Sequence, residues 1–162
     1  MKGRNTVLRA LHHGERDIAQ QLLRTGERHR TDHEVHHVAI DLAHWSQEHV
    51  QRLADAAEAY GLDLGTPHGT PSTVLTTLRE KTAEAVGKRP EPALLLLHDL
   101  RELHLSASGN SLYWEMLGQS AQATKDARLL DLVADCHPQT LRQMRWTNTL
   151  VKQLSAQALT AV

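Results

Sequence analysis

Four long segments in which apolar residues return every three or four positions, split into two pairs by one interruption of about 30 residues, constrain this chain most. The first segment, about residues 4–29, repeats Leu8, Leu11, Glu15, Ile18 and Leu22. The second, about 32–60, repeats Val35, Val38, Leu42, Trp45, His49, Leu53, Ala56 and Tyr60. Thr31 and Glu34 ahead of it have the spacing of a capping box, and Gly61 stands where a C′ glycine ends a helix. The third, about 92–123, carries Leu97, Leu100, His104, Ala107, Ser111, Trp114, Gly118 and Ala121. The fourth, about 125–158, carries Leu130, Val133, His137, Thr140, Met144, Thr147, Val151 and Ala158, with Pro138 predicting a kink near Ala134. Very short corners within each pair demand antiparallel hairpins. The interruption at 61–91, opened by "GLDLGTPHGTPST" and closed by "GKRPEP", holds a short helical stretch at about Val74–Val86. It is long enough to run the length of a bundle. The expectation is an all-α, single-domain four-helix bundle over 1–162, made of two antiparallel hairpins and one long crossover.

Composition agrees with helices and removes several function classes. Phe is absent and the chain is rich in helix formers. A net charge of −1 with neutral histidine gives no electrostatic reason to bind nucleic acid or an anionic membrane. The longest apolar run, Ala93–Leu97, is far too short to span a bilayer, and no partner of either kind is expected. The opening stretch lacks the apolar core of a signal peptide, and Cys136 has no second cysteine to pair with. Together these point to the cytoplasm. No phosphate-binding glycine loop or nucleophile elbow occurs.

The 12 histidines are the unusual feature. His33, His36, His37 and His44 fall away from the apolar line of the second segment, beside Asp41 and Glu48, and read as a solvated face. Trp45 and Trp114 fall on inward lines and read as core. On the same lines each segment carries one ionisable group: Glu15, His49, His104 and His137. Measured along helices of 1.5 Å rise, the four share a mid-bundle layer within roughly 12 Å. Buried charges need partners, so the layer is either a transition-metal site or a hydrogen-bonded Glu–His network.

Two long hairpins, a long crossover and inward carboxylate and histidine groups resemble the ferritin-like superfamily. The resemblance covers nearly the whole chain and rests on architecture. It implies a carboxylate–histidine metal centre at mid-height, in which Glu15 stands at the first-helix glutamate and Glu48 at the level of the second-helix one. The partner of Glu48 at three residues' distance is Gln51 rather than His, the third helix offers Glu102 or Glu115, and the fourth offers Asp135 with Pro138. The expected function is therefore a bundle binding iron, zinc, copper or manganese through Glu15, Glu48, His49, His104 and His137, with oxygen or peroxide chemistry if it is an enzyme. The alternative is a non-catalytic helical interaction protein whose Glu–His network holds no metal. The family's dimers and larger shells imply a homo-oligomer.

Overall fold

The computed structural model describes residues 2–65 and 91–161. It contains four helices: α1 (Lys2–Arg28), α2 (His33–Glu58), α3 (Pro92–Thr124) and α4 (Ala127–Thr160). The helix expected near Val74–Val86 lies outside the described residues. Among the described residues every regular element is α-helical.

The corners follow from local chemistry. At the α1–α2 corner the N-cap is Asp32, whose carboxylate accepts from the Val35 N–H at 3.2 Å, one residue later than the Thr31–Glu34 spacing suggests. A carboxylate satisfies an orphan N–H and also faces the positive end of the helix dipole, which a threonine hydroxyl cannot. Behind the corner, the missing side chain of Gly26 lets α2 approach, since a Cβ there would stand 3.3 Å from the His36 carbonyl oxygen. Helix α2 ends in a glycine-dependent cap: Gly61 takes φ +68°, and the Leu62 N–H donates to the Ala57 carbonyl at 3.0 Å. Leu62 then folds back into the core. Between α3 and α4 only Lys125 and Asp126 turn the chain, Lys125 at φ 56° and Asp126 accepting from the Leu129 N–H at 3.1 Å. Helix α4 runs on through Pro138.

Contacts along the helices fix their order and direction. Gln21 meets Ser106 and Glu15 meets Trp114, so α3 runs antiparallel to α1. Arg52 meets Asp135 and Ser46 meets Gln143, so α4 runs antiparallel to α2. Each helix touches two neighbours, in the ring order α1, α2, α4, α3. The directions are up, down, down, up. Helix α2 therefore ends at the opposite end of the bundle from the start of α3, roughly 39 Å away for a helix of 26 residues. One long crossover is the consequence, as the length of 61–91 implies.

The core is apolar at both ends and polar between. One apolar layer joins Leu8, Leu11, Leu53, Trp114, Leu117 and Leu132. A second joins Ile18, Leu22, Leu42 and Leu103, and a third Val35, Leu100 and Leu150. The first end is closed by Tyr60, whose hydroxyl donates to Asp126 while the Arg4 guanidinium lies 3.6 Å above its ring. Burial, then the Asp126 contact, push the Tyr60 hydroxyl up to about 12. The other end is closed by Asp99, buried between Arg28 (3.0 Å) and His29 (2.7 Å). Both clamps tie one hairpin to the other.

Asp126 serves two bonds, the helix cap and the tyrosine, whereas Thr31 caps nothing. Asp126→Ala is expected to cost about 1–3 kcal/mol, and Thr31→Ala less than about 0.5 kcal/mol. Urea midpoints for the two variants at unchanged m-value check this ranking.

Candidate functional site

The polar layer lies where the first two apolar layers meet, and Glu15 is its centre. Its side chain is fully buried. Oε1 accepts from the Trp114 indole N–H at 3.0 Å and lies 3.2 Å from His49 Nδ1. The His49 ring, itself 1% exposed, stands edge-on to Trp114 with 5.6 Å between ring centres. Its second nitrogen, Nε2, donates to Gln139 Oε1 at 2.7 Å, and the Cys136 sulfur also faces the ring. Nε2 is thus hydrogen-bonded, whereas Nδ1 lies at ion-pair distance from Glu15 without a hydrogen-bond partner. A proton on both nitrogens makes the ring an imidazolium, which pairs with the Glu15 carboxylate through charge. Burial by itself would strip that proton, but the Cys136 and Glu15 contacts outweigh it and push His49 up to about 10.

The rest of the layer crosses the gap between α2 and α4, where side chains rather than close-packed backbones make much of the contact. Gln143 donates to the Leu42 carbonyl (3.1 Å) and to Ser46 Oγ (2.8 Å). Arg52 donates to Asp135 at 2.8 Å and brings its other nitrogen to 3.9 Å from Cys136 Sγ. On the α1–α3 side, Asn110 fills the space that a side chain at Gly14 would take, its Oδ1 2.2 Å from an ideal Cβ. Five buried polar atoms of the layer have no hydrogen-bond partner: Glu15 Oε2, His49 Nδ1, Asn110 Nδ2, Thr140 Oγ1 and Gln143 Oε1.

Of the five expected ligands, the structure brings two together, Glu15 and His49. His104 is half-buried on the α3–α4 seam, its Nδ1 2.9 Å from Thr147 Oγ1 and 3.2 Å from the Met144 carbonyl. His137, also half-buried, bonds Ser111 Oγ at 2.8 Å and lies 3.9 Å from Glu115. Glu48 is exposed. Among the described residues no group of three or more His, Cys, Asp or Glu side chains is placed to hold a metal ion. The displacement of His104 and His137 has one cause. The buried line of α3 runs Leu100, Leu103, Ala107, Asn110, Trp114, and that of α4 runs Leu132, Cys136, Thr140, Gln143, Thr147. Each histidine sits one residue past its line, a rotation of about 100°. Polar residues on the true lines disguised them.

Sequence reasoning placed Thr140 on the inward line but passed over Gln139, Gln143, Ser46 and Asn110, which complete the layer with it, and His12 and His29, both buried. His12 is pushed down by burial, then by Arg16 and His13. The one available signal was polar residues at heptad-like spacing on α4, Thr140, Gln143 and Thr147. The surface reading of the α2 histidines fits His33, His37 and His44, which are exposed, while His36 bonds the Gly26 carbonyl at 2.8 Å. Trp114 is fully buried as expected, and Trp45 only half so.

Removing one partner of a buried pair leaves the other charge uncompensated. Glu15→Gln is expected to cost about 3–5 kcal/mol near neutral pH, measured by urea unfolding. The pH dependence has a definite sign. The folded state holds the His49 proton up to about 10, while the unfolded chain loses it near 6.5. The stability it contributes is therefore complete below about 6.5 and lost as pH rises through about 10. The gap between wild type and Glu15→Gln should narrow across that window, and a gap that widens with pH would contradict the imidazolium. No family model, curated protein or solved structure matches the chain.

Proposed function

We propose that this chain is a non-catalytic helical interaction protein on a ferritin-like bundle, whose buried Glu15–His49 network sets helix register and holds no metal. The observation that carries this reading is the buried ion pair between Glu15 and His49. At 3.2 Å the Glu15 carboxylate favours the protonated imidazole, pushed up to about 10, while Nε2 donates to Gln139, and a protonated imidazole must lose its proton before it can bind a metal. The ferritin-like part is supported by the up-down-down-up order with one long crossover, an arrangement that superfamily shares. Among the described residues no helix is long and apolar enough to cross a membrane, and the single buried thiol suits a reducing cytoplasm.

A transition-metal reading draws on a different feature, the five buried polar atoms of the layer that have no hydrogen-bond partner. One or two internal waters satisfy such atoms equally well, at a density usual for protein interiors. A metal would have to displace the His49 proton and gather ligands that now sit on other faces. Elemental analysis of protein purified without an affinity tag separates the readings. The expected result is no stoichiometric iron, zinc, copper or manganese. A metal near one equivalent per chain that is lost in Glu15→Gln would overturn the proposal.

A further inference from the structure

Helix α3 is apolar on two opposite faces. Its inner line packs into the core. Its outer line carries Leu94 (42% exposed), Leu105 (50%), Leu112 (63%) and Met116 (51%), which fall within about 40° of one another on the helical wheel, with the exposed His98 and Arg101 between Leu94 and Leu105. The outer faces of the other helices differ. Helix α2 presents His37, Asp41, His44, Glu48 and Asp55 to solvent, and α4 presents Asp131, Asp135, Arg142 and Arg145. A helix apolar on both sides is one that is covered on both sides.

The shape of this face says what covers it. Toward one end, between α3 and α4, lies a groove of about 290 Å³ lined by Leu97, Leu105 and Val151 with Arg101, Asn148 and Ser155. Toward the other end of the same line, Leu112 and Met116 protrude. Midway between Leu105 and Leu112 stand Ser108 and Gly109, and a Cβ built on Gly109 meets no atom within 4 Å. A two-fold axis at that midpoint turns α3 antiparallel to its own copy and sets position n level with 217 − n. Leu105 then meets Leu112 in both directions, and Met116 of each copy falls level with Arg101, inside the groove of the other.

Charge agrees with the same register. Arg101 and Glu115, both exposed, lie on the α4 side of the apolar line. In an antiparallel pair the matching flanks face each other, so each Arg101 stands within one residue of level with a Glu115 across the axis. Leu141 of the neighbouring α4 is also exposed, at 43%. We propose that α3 is the interface of a symmetric homodimer, with Leu112 and Met116 of each copy seated in the Leu97–Leu105–Val151 groove of the other. This names the partner of the interaction protein inferred above and rests on that reading.

Its size sets its strength. The line from Leu94 to Met116 is roughly 33 Å long, and two helices give it a width of about 20 Å. The resulting ~660 Å² per copy falls just under the ~800 Å² of a standard interface, so the dimer should form at micromolar concentrations. Analytical ultracentrifugation of the full chain at about 1 and 200 μM is expected to show monomer passing to dimer. Leu112→Glu should weaken association at least about tenfold without changing helical content, because the position is exposed. Arg101→Glu should weaken it by less, and Arg101→Glu with Glu115→Arg should restore it. A wild type that stays monomeric at 200 μM, a dimer indifferent to Leu112→Glu, or a charge swap without rescue each overturns the interface. Metal content tests the interior reading independently, so failure of one is distinguishable from failure of the other.

Discussion

Glu15 and His49 form the interaction on which the bundle's register depends. An ion pair 3.2 Å apart in a fully buried layer returns little net stability once desolvation is counted, yet it tolerates no displacement. Leucines in the layers above and below could slide by a turn and still bury similar area. A carboxylate that must meet both an indole N–H and an imidazolium cannot. The pair sits on the α1–α2 hairpin and reaches α3 through Trp114 and α4 through Gln139, so one acid side chain sets the height of all four helices.

Polar bridges elsewhere do similar work where helix packing leaves room. The α1–α3 contact is close enough for Asn110 to occupy the space above Gly14. The α2–α4 contact is looser, and long side chains span it: Gln143 to Ser46, Arg52 to Asp135, Gln139 to His49. At each end a carboxylate clamps one hairpin to the other, Asp99 under Arg28 and His29, and Asp126 under Tyr60. The crossover leaves the two hairpins connected at opposite ends, so these clamps and the polar layer hold together what the corners do not.

The buried layer and the outer face of α3 divide the labour of the molecule. Inside, hydrogen bonds join α1 to α3 and α2 to α4, one ion pair joins α1 to α2, and together they specify geometry. Outside, an apolar line is repeated on a helix whose neighbours present charge.

The four helices, the antiparallel hairpins and the long crossover were legible in the sequence, because a 3.6-residue repeat and an interruption of about 30 residues admit few other arrangements. Glu15 and His49 were legible too, since each interrupts a run of leucines, valines and alanines that makes its line unmistakable. On α3 and α4 the core line itself carries Asn110, Cys136, Thr140, Gln143 and Thr147, and hydropathy alone could not separate that line from the neighbouring one holding His104 and His137. One residue is 100° of rotation, enough to move an imidazole from the centre of a bundle to its seam. The N-cap shifted from Thr31 to Asp32 for a related reason: two adjacent capping residues are equivalent on paper, and the helix dipole prefers the charged one. Tertiary structure decided which polar groups met, because that depends on the relative rotation of helices far apart in the chain, and no local period encodes it.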